Sequence, residues 1–272
     1  MKTTDISLLN DYWKYPYKVK LLNSESHAAD SNYERLNKYQ NFSKSIYKSI
    51  TDFFKLPINS RSIDTLRNLL RANWLHQGYS TKEEERQFGL EALELLESFY
   101  FHNDIKKIYT FVETKLKYKL LDFELQTFLQ LGEYFAVQNK FIITDYTTAS
   151  SSSKYIRDKY GIFNDFNALN KIAGVYFNHK VDTIVYKRCF LRYNNISEFQ
   201  LDAETIFEAI QYLQNKLKDF SLEDKFERII GKHCSYCSLN AICQLLQNIS
   251  YTENPHLFKL IRFLTELLQT DF

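Results

Sequence analysis

The sequence predicts an α/β protein: a mixed central β-sheet flanked by helices, preceded by a helical N-terminal region. Three observations carry this. Apolar residues recur at three- and four-residue spacing through roughly the first hundred positions. Beyond Ile108 the period falls toward two, with β-branched and aromatic residues enriched. Helical and extended patterns then alternate as far as Leu217, and the natural layer arrangement for such an order is a sheet covered by helices.

The elements follow in chain order. Residues 5–23 read as an aromatic-bearing helix with Leu8, Leu9, Tyr12 and Trp13, and Pro16 is expected to begin a turn within it. Residues 24–37 are polar and read as a loop. Phe42, Ile46, Ile50 and Phe53 mark a helix over 41–54, and Ile63, Leu66, Leu69 and Leu70 mark another over 62–74. Residues 82–100 form the strongest helical pattern, opened by Thr81 as N-cap and by glutamates that suit the helix dipole. Strands are expected at 108–115, 120–137 and 141–147. After a small polar break at 149–153 come a helix at 167–177, a strand at 183–193 containing Cys189, a helix at 202–217 and a final amphipathic helix at 255–268. One domain is expected over 1–272, with a helical part at 1–105, a core at 106–245 and the C-terminal helix at 246–272.

The composition is that of a globular protein, 44% hydrophobic and 25% charged. A formal charge of +2 provides no global basic field, so any nucleic-acid site must be a local patch. No apolar run approaches membrane-spanning length, and the N-terminus lacks a signal-peptide core. A cytoplasmic protein is expected, in which clustered cysteines more often bind metal than form disulfides.

Three of the 4 cysteines fall between His233 and Cys243, spaced Cys234-x2-Cys237-x5-Cys243. Thiolates at this spacing can bind soft metals or an iron–sulfur cluster, but three ligands do not complete a tetrahedral site. Cys189 brings the total to four, and His233 offers a Cys3His set suited to zinc. Three states stay open: an empty reduced thiol cluster, zinc, or a 4Fe-4S cluster.

Three stretches, in this order, resemble the RecB/AddB-like branch of the PD-(D/E)XK nuclease superfamily. They are Tyr12-Trp13-Lys14-Tyr15-Pro16-Tyr17-Lys18, then Phe141-Ile-Ile-Thr-Asp145-Tyr-Thr147-Thr, then Gly231-Lys232-His233-Cys234-Ser-Tyr-Cys237-Ser-Leu-Asn-Ala-Ile-Cys243. The resemblance runs from about Leu8 to Cys243 and implies a restriction-endonuclease-like core. It also implies Mg²⁺- or Mn²⁺-dependent cleavage of DNA, in which carboxylates hold the ion and a lysine assists the attacking water. Asp145 matches the second-strand acid and Glu113 an acidic position before the paired strands. The other motif positions are changed: the first-strand acid is Gln130, with Glu133 close by, the lysine is Thr147, and the helical histidine is Tyr47. The cysteine before the proline is Tyr15.

The resemblance and these departures imply a DNA-binding, nuclease-like protein with weak or no catalysis, acting in recombination, repair or defence. Lys154, Arg157, Lys187, Arg188 and Arg192 are the candidate phosphate contacts. The alternatives are an active nuclease with migrated residues, such as Lys115 or Lys154 in the lysine role, and a protein-interaction scaffold. The scaffold would use the C-terminal stripe of Leu257, Leu260, Ile261, Leu264 and Leu268.

Overall fold

A computed structural model of the chain describes residues 2–3, 38–149 and 159–222. In order, the elements are β1 (Lys2–Thr3), α1 (Lys38–Lys55), α2 (Ile63–Asn73), α3 (Lys82–His102), β2 (Phe111–Leu120), β3 (Phe123–Phe135), β4 (Lys140–Thr147), α4 (Lys159–Phe163), α5 (Phe166–His179), β5 (Thr183–Phe190), β6 (Asn195–Leu201) and α6 (Ala203–Leu222). The strands form one mixed six-stranded sheet, as expected for the α/β class.

β3 is the hub of the sheet. It pairs antiparallel with β2 along most of its length, while its other side takes β1 at Phe123–Glu124 and β4 at Leu131–Phe135. β4 and β5 run parallel, so the chain must cross over between them, and α4 and α5 make that crossing. β6 then returns antiparallel to β5.

The helices α1, α2 and α3 cover one face. Their buried residues, among them Phe42, Ile46, Phe53, Leu66, Leu96 and Phe99, meet Leu131, Tyr146, Cys189 and Leu191 of the sheet. Each helix start is capped where its sequence allows: Ser62 accepts from the Thr65 N–H and Thr81 from the Glu84 N–H, both at 3.1 Å. Arg61 is buried and donates to four carbonyls, those of Phe54, Leu56, Ile105 and Lys107, at 2.7–2.9 Å. It ties the end of α1 to the segment that leads into β2.

α5 covers the opposite face and α6 packs beside it. Asn170 of α5 accepts from the Tyr118 hydroxyl and donates to the Gln126 carbonyl at 3.1 Å, which fixes the helix over β2 and β3. Gly174 lets the helix approach closely, because a Cβ there would lie 2.6 Å from Thr127 Cγ2.

Strand alternation slips at one place. Leu116 and Tyr118 lie beside Gly174 on the α5 face. Regular alternation would put Phe111 on the other face, yet its ring packs against His179 of α5, and Val112 packs with the α1–α3 cluster. Between them Glu113 adopts φ 49°, the left-handed region a non-glycine residue rarely visits.

Several details depart from the sequence expectations. β2 continues to Leu120 instead of ending at Lys115, because Leu116, Tyr118 and Leu120 are buried between exposed lysines. The hairpin turn is Leu121–Asp122, with Leu121 at φ 54°. β6 is a separate strand that the sequence pattern passed over. It is an edge strand with mostly exposed or half-buried residues, so its apolar signal is weak. The short β1 and α4 were likewise not anticipated. The expected helices at 5–23 and 255–268 lie outside the described residues. Among the described residues, no helix is long and apolar enough to cross a membrane.

Alanine normally stabilises a helix interior over glycine by about 1 kcal/mol. Gly174→Ala should instead destabilise the fold by about 1–3 kcal/mol through the Thr127 contact. Chemical denaturation should show Thr127→Ser recovering part of that loss in the double variant. An unchanged or raised stability for Gly174→Ala alone would show that the close approach is not real.

Candidate functional site

β4 ends in Thr144-Asp145-Tyr146-Thr147, and successive side chains there face opposite sides of the sheet. Tyr146 packs among the α1–α3 residues, its ring edge-on to Phe99 at 5.2 Å. Asp145 therefore points to the α5 face, where it is 5% exposed. Its Oδ2 takes Lys171 Nζ of α5 at 2.5 Å and the hydroxyl of Tyr186 on β5. Its Oδ1 is buried with no hydrogen-bond partner among the described residues.

The contacts continue outward. Arg188 donates to the Tyr186 hydroxyl at 3.2 Å and pairs with Asp165 at 2.5 Å. Asp165 also caps α5, accepting from the Asn167 and Ala168 N–H groups at 3.0 and 3.2 Å. Burial, and then the neighbouring Asp145, raise the Tyr186 hydroxyl well above the ordinary tyrosine range, so it stays a proton donor.

The remaining motif positions gather on the α1 face. Gln130, Tyr47 and Glu113 line a cleft of about 620 Å³ between α1, the end of α2 and the β2–β3 pair, together with Lys44, Lys48, Trp74, Leu75 and Phe128. Gln130 Oε1 accepts from the Tyr146 N–H at 2.7 Å, just beyond the point where the β3–β4 ladder stops at Leu131 and Thr144. The Tyr47 hydroxyl accepts from the Thr148 N–H at 3.2 Å. Both side chains thus satisfy backbone at the end of β4. Thr147 is half-buried and accepts from the Ala149 N–H at 3.2 Å.

Glu113 is held by Lys48 at 2.8 Å and by Lys55. Burial works against its charge, but these two lysines outweigh burial and keep its carboxyl below the usual glutamate range. The β2–β3 ladder pairs Val112 with Leu131 and Thr114 with Leu129 on either side of Glu113, and the β3–β4 ladder ends at Leu131–Thr144, so neither Glu113 nor Asp145 has a ladder partner on β3. They share no partner: Glu113 pairs with α1, Asp145 with α5 and β5. Glu133 pairs with Lys107 at 2.7 Å.

A divalent cation of the magnesium or manganese class wants several oxygen ligands, most of them charged or water-backed. Around Asp145 stand a lysine, an arginine and a proton-donating tyrosine, and among the described residues no second carboxylate shares its position. Among the described residues no group of three or more His, Cys, Asp or Glu is arranged to hold a metal ion. The residues at Asp145 do not fit the metal that the motif resemblance implies.

The other candidates have defined settings. Lys187 pairs with Glu198 at 2.8 Å, Arg188 with Asp165, and Arg192 with Glu91 and the Thr148 carbonyl. Cys189 sits in the apolar cluster, where burial pushes its thiol up to about 12, a setting that disfavours a thiolate ligand. Lys154, Arg157, Cys234, Cys237 and Cys243 lie outside the described residues. Sequence reasoning missed Lys171. Its one signal was a lysine inside the apolar run Ala168-Leu169-Asn170-Lys171-Ile172-Ala173.

The architecture is an α/β fold with a mixed sheet covered by helices, and it is shared with a solved structure. A crystal structure described as a "Putative exonuclease" from Eubacterium rectale superposes with a TM-score of 0.50 at 10% identity, covering 95% of this chain and 92% of that one. A second structure, that of SSO0001, has a TM-score of 0.28 at 11% identity over 74% of this chain and 83% of that one, a likeness too low to argue from. No family description and no curated protein matches the chain.

Gln130→Leu tests the backbone role of that side chain. It should cost about 1–3 kcal/mol in urea unfolding, because the Tyr146 N–H loses its acceptor. A variant as stable as the parent would show that Gln130 is not needed to close the end of β4.

Proposed function

We propose that the chain is a DNA-binding protein of the PD-(D/E)XK nuclease-like type whose metal-dependent cleavage is absent or much weakened, acting in recombination, repair or defence within the cytoplasm. The single observation that carries this reading is the state of Asp145: the acid at the end of β4 is buried, ion-paired with Lys171 and hydrogen-bonded by the Tyr186 hydroxyl. Gln130 and Thr147 supply no charge in place of the missing acid and lysine.

DNA binding draws support from the cleft on the α1 face. Lys44, Lys48, Lys55 and Lys115 stand in or beside it against two carboxylates, Glu113 and Asp52. Phe128 is 54% exposed, with Lys115 Nζ 5.6 Å from its ring centre. Cations beside an exposed ring suit phosphate and base together. Lys187, Arg188 and Arg192 are ion-paired within the chain, as Lys48 and Lys55 are, and do not line this cleft.

A second reading rests on Lys171. A lysine beside Asp145 has the chemistry of the missing motif lysine, so an active nuclease with a migrated lysine would place it there. Labelled DNA incubated with the protein and Mn²⁺ separates the two. The proposal expects salt-dependent binding without cleavage, and Glu113→Gln should tighten binding by roughly two- to fivefold at low salt, the effect of removing one surface charge. Cleavage that disappears in both Asp145→Ala and Lys171→Ala would establish the second reading, and failure to retain DNA at low salt would defeat the first.

A further inference from the structure

We propose that the open face of the β2–β3 pair carries a single strand of DNA, with phosphates along Lys115, Lys117 and Lys119 and an unpaired base on the Phe128 ring. This rests on the DNA-binding reading above and adds the form of the nucleic acid and its path out of the cleft.

Alternation decides which side chains share that face. Leu116 and Tyr118 lie beside Gly174 of α5, so Lys115, Lys117 and Lys119 project from the other side of β2. All three are exposed. The ladder sets them opposite Phe128, Gln126 and Glu124 of β3. Phe128 lines the cleft, is largely exposed and has Lys115 Nζ over its ring. The lysine stripe is thus continuous with the cleft.

Other lysines of the chain already have a countercharge. Lys48, Lys55, Lys107, Lys171 and Lys187 each face a carboxylate. Among the described residues Lys115, Lys117 and Lys119 pair with none, although Glu124 stands opposite Lys119 in the ladder. A phosphate backbone that meets such lysines gains the charge contacts and counterion release that drive nucleic-acid binding.

The spacing favours one strand over two. Alternate residues of a strand stand about 6.6–6.8 Å apart, so the three ammonium groups span roughly 13 Å in a single line. One line of charge fits one sugar–phosphate backbone. A base stacks on Phe128 only when its face is open, and in a duplex those faces are stacked on each other.

Fluorescence anisotropy of the full chain with a labelled thymidine oligonucleotide, alone and annealed to its complement, tests this at several salt concentrations. The single strand should bind more tightly than the duplex. Lys117→Ala/Lys119→Ala should weaken single-strand binding and flatten its salt slope by about 1.4, two phosphate contacts at about 0.7 each. Phe128→Ala should weaken it roughly five- to hundredfold with the salt slope unchanged, and Phe128→Trp should retain it. Lys106→Ala/Lys216→Ala, which removes the same charge from the α3–β2 loop and from α6, should keep the parent's salt slope.

Lysines on an edge strand also deter pairing with other chains. A Lys117→Ala/Lys119→Ala variant that self-associates but binds the oligonucleotide as the parent does would assign them that role and overturn the proposal. So would tighter binding of the duplex, Phe128→Ala with the parent's affinity, or polyglutamate that competes as well as unlabelled oligonucleotide. Each of these leaves DNA binding by the chain standing, whereas a parent that retains neither form of DNA at low salt defeats the functional reading itself.

Discussion

A charged carboxylate placed inside a protein must be answered by another charge, and at Asp145 that requirement shapes the surrounding structure. The acid lies at the end of a central strand, under a crossover helix, where water cannot solvate it. Lys171 answers it from α5, and from β5 the Tyr186 hydroxyl donates to it and is itself held by Arg188. The pairing is possible because α5 lies close on the sheet. Gly174 gives room for Thr127, and Asn170 joins the helix to both β2 and β3. Remove the closeness and Lys171 no longer reaches; remove Lys171 and the helix covers an uncompensated charge.

The same strand serves the opposite face differently. Tyr146 turns into the aromatic packing beneath α1 and α3, while Gln130 and Tyr47 accept the backbone N–H groups around it. Gln130 and Tyr47, two positions that the sequence resemblance aligns with metal-site residues, thus close the end of β4. The lysine-bearing cleft beside them keeps a separate chemistry, with cations and an exposed ring. Asp145 and its partners lie on the opposite face of the sheet from that cleft, so the nucleic-acid surface proposed there would not depend on the state of Asp145.

Much of this architecture was legible in the sequence. The apolar spacing of Phe42, Ile46, Ile50 and Phe53 and the alternation after Ile108 place α1 and the sheet correctly, because burial of one face imposes those periods. Asp145 was legible as a strand-end acid from its place after Phe141-Ile-Ile-Thr. Its orientation was not, since the partner that explains it is a lysine 26 residues away on a helix of otherwise ordinary pattern. Glu113 illustrates the other limit. Its left-handed backbone shifts the alternation of β2, and nothing about a glutamate between valine and threonine announces that conformation. β6 escaped notice because an edge strand needs few apolar residues.

The most direct measurement is a crystal grown in Mn²⁺ and examined by anomalous scattering at the manganese edge. The account predicts no manganese within about 2.0–2.6 Å of Asp145, the span of hard-cation ligand distances, and the Lys171 ammonium in contact with its carboxylate. A manganese peak bridging Asp145 and a second acidic or amide oxygen, with Lys171 displaced, would contradict it.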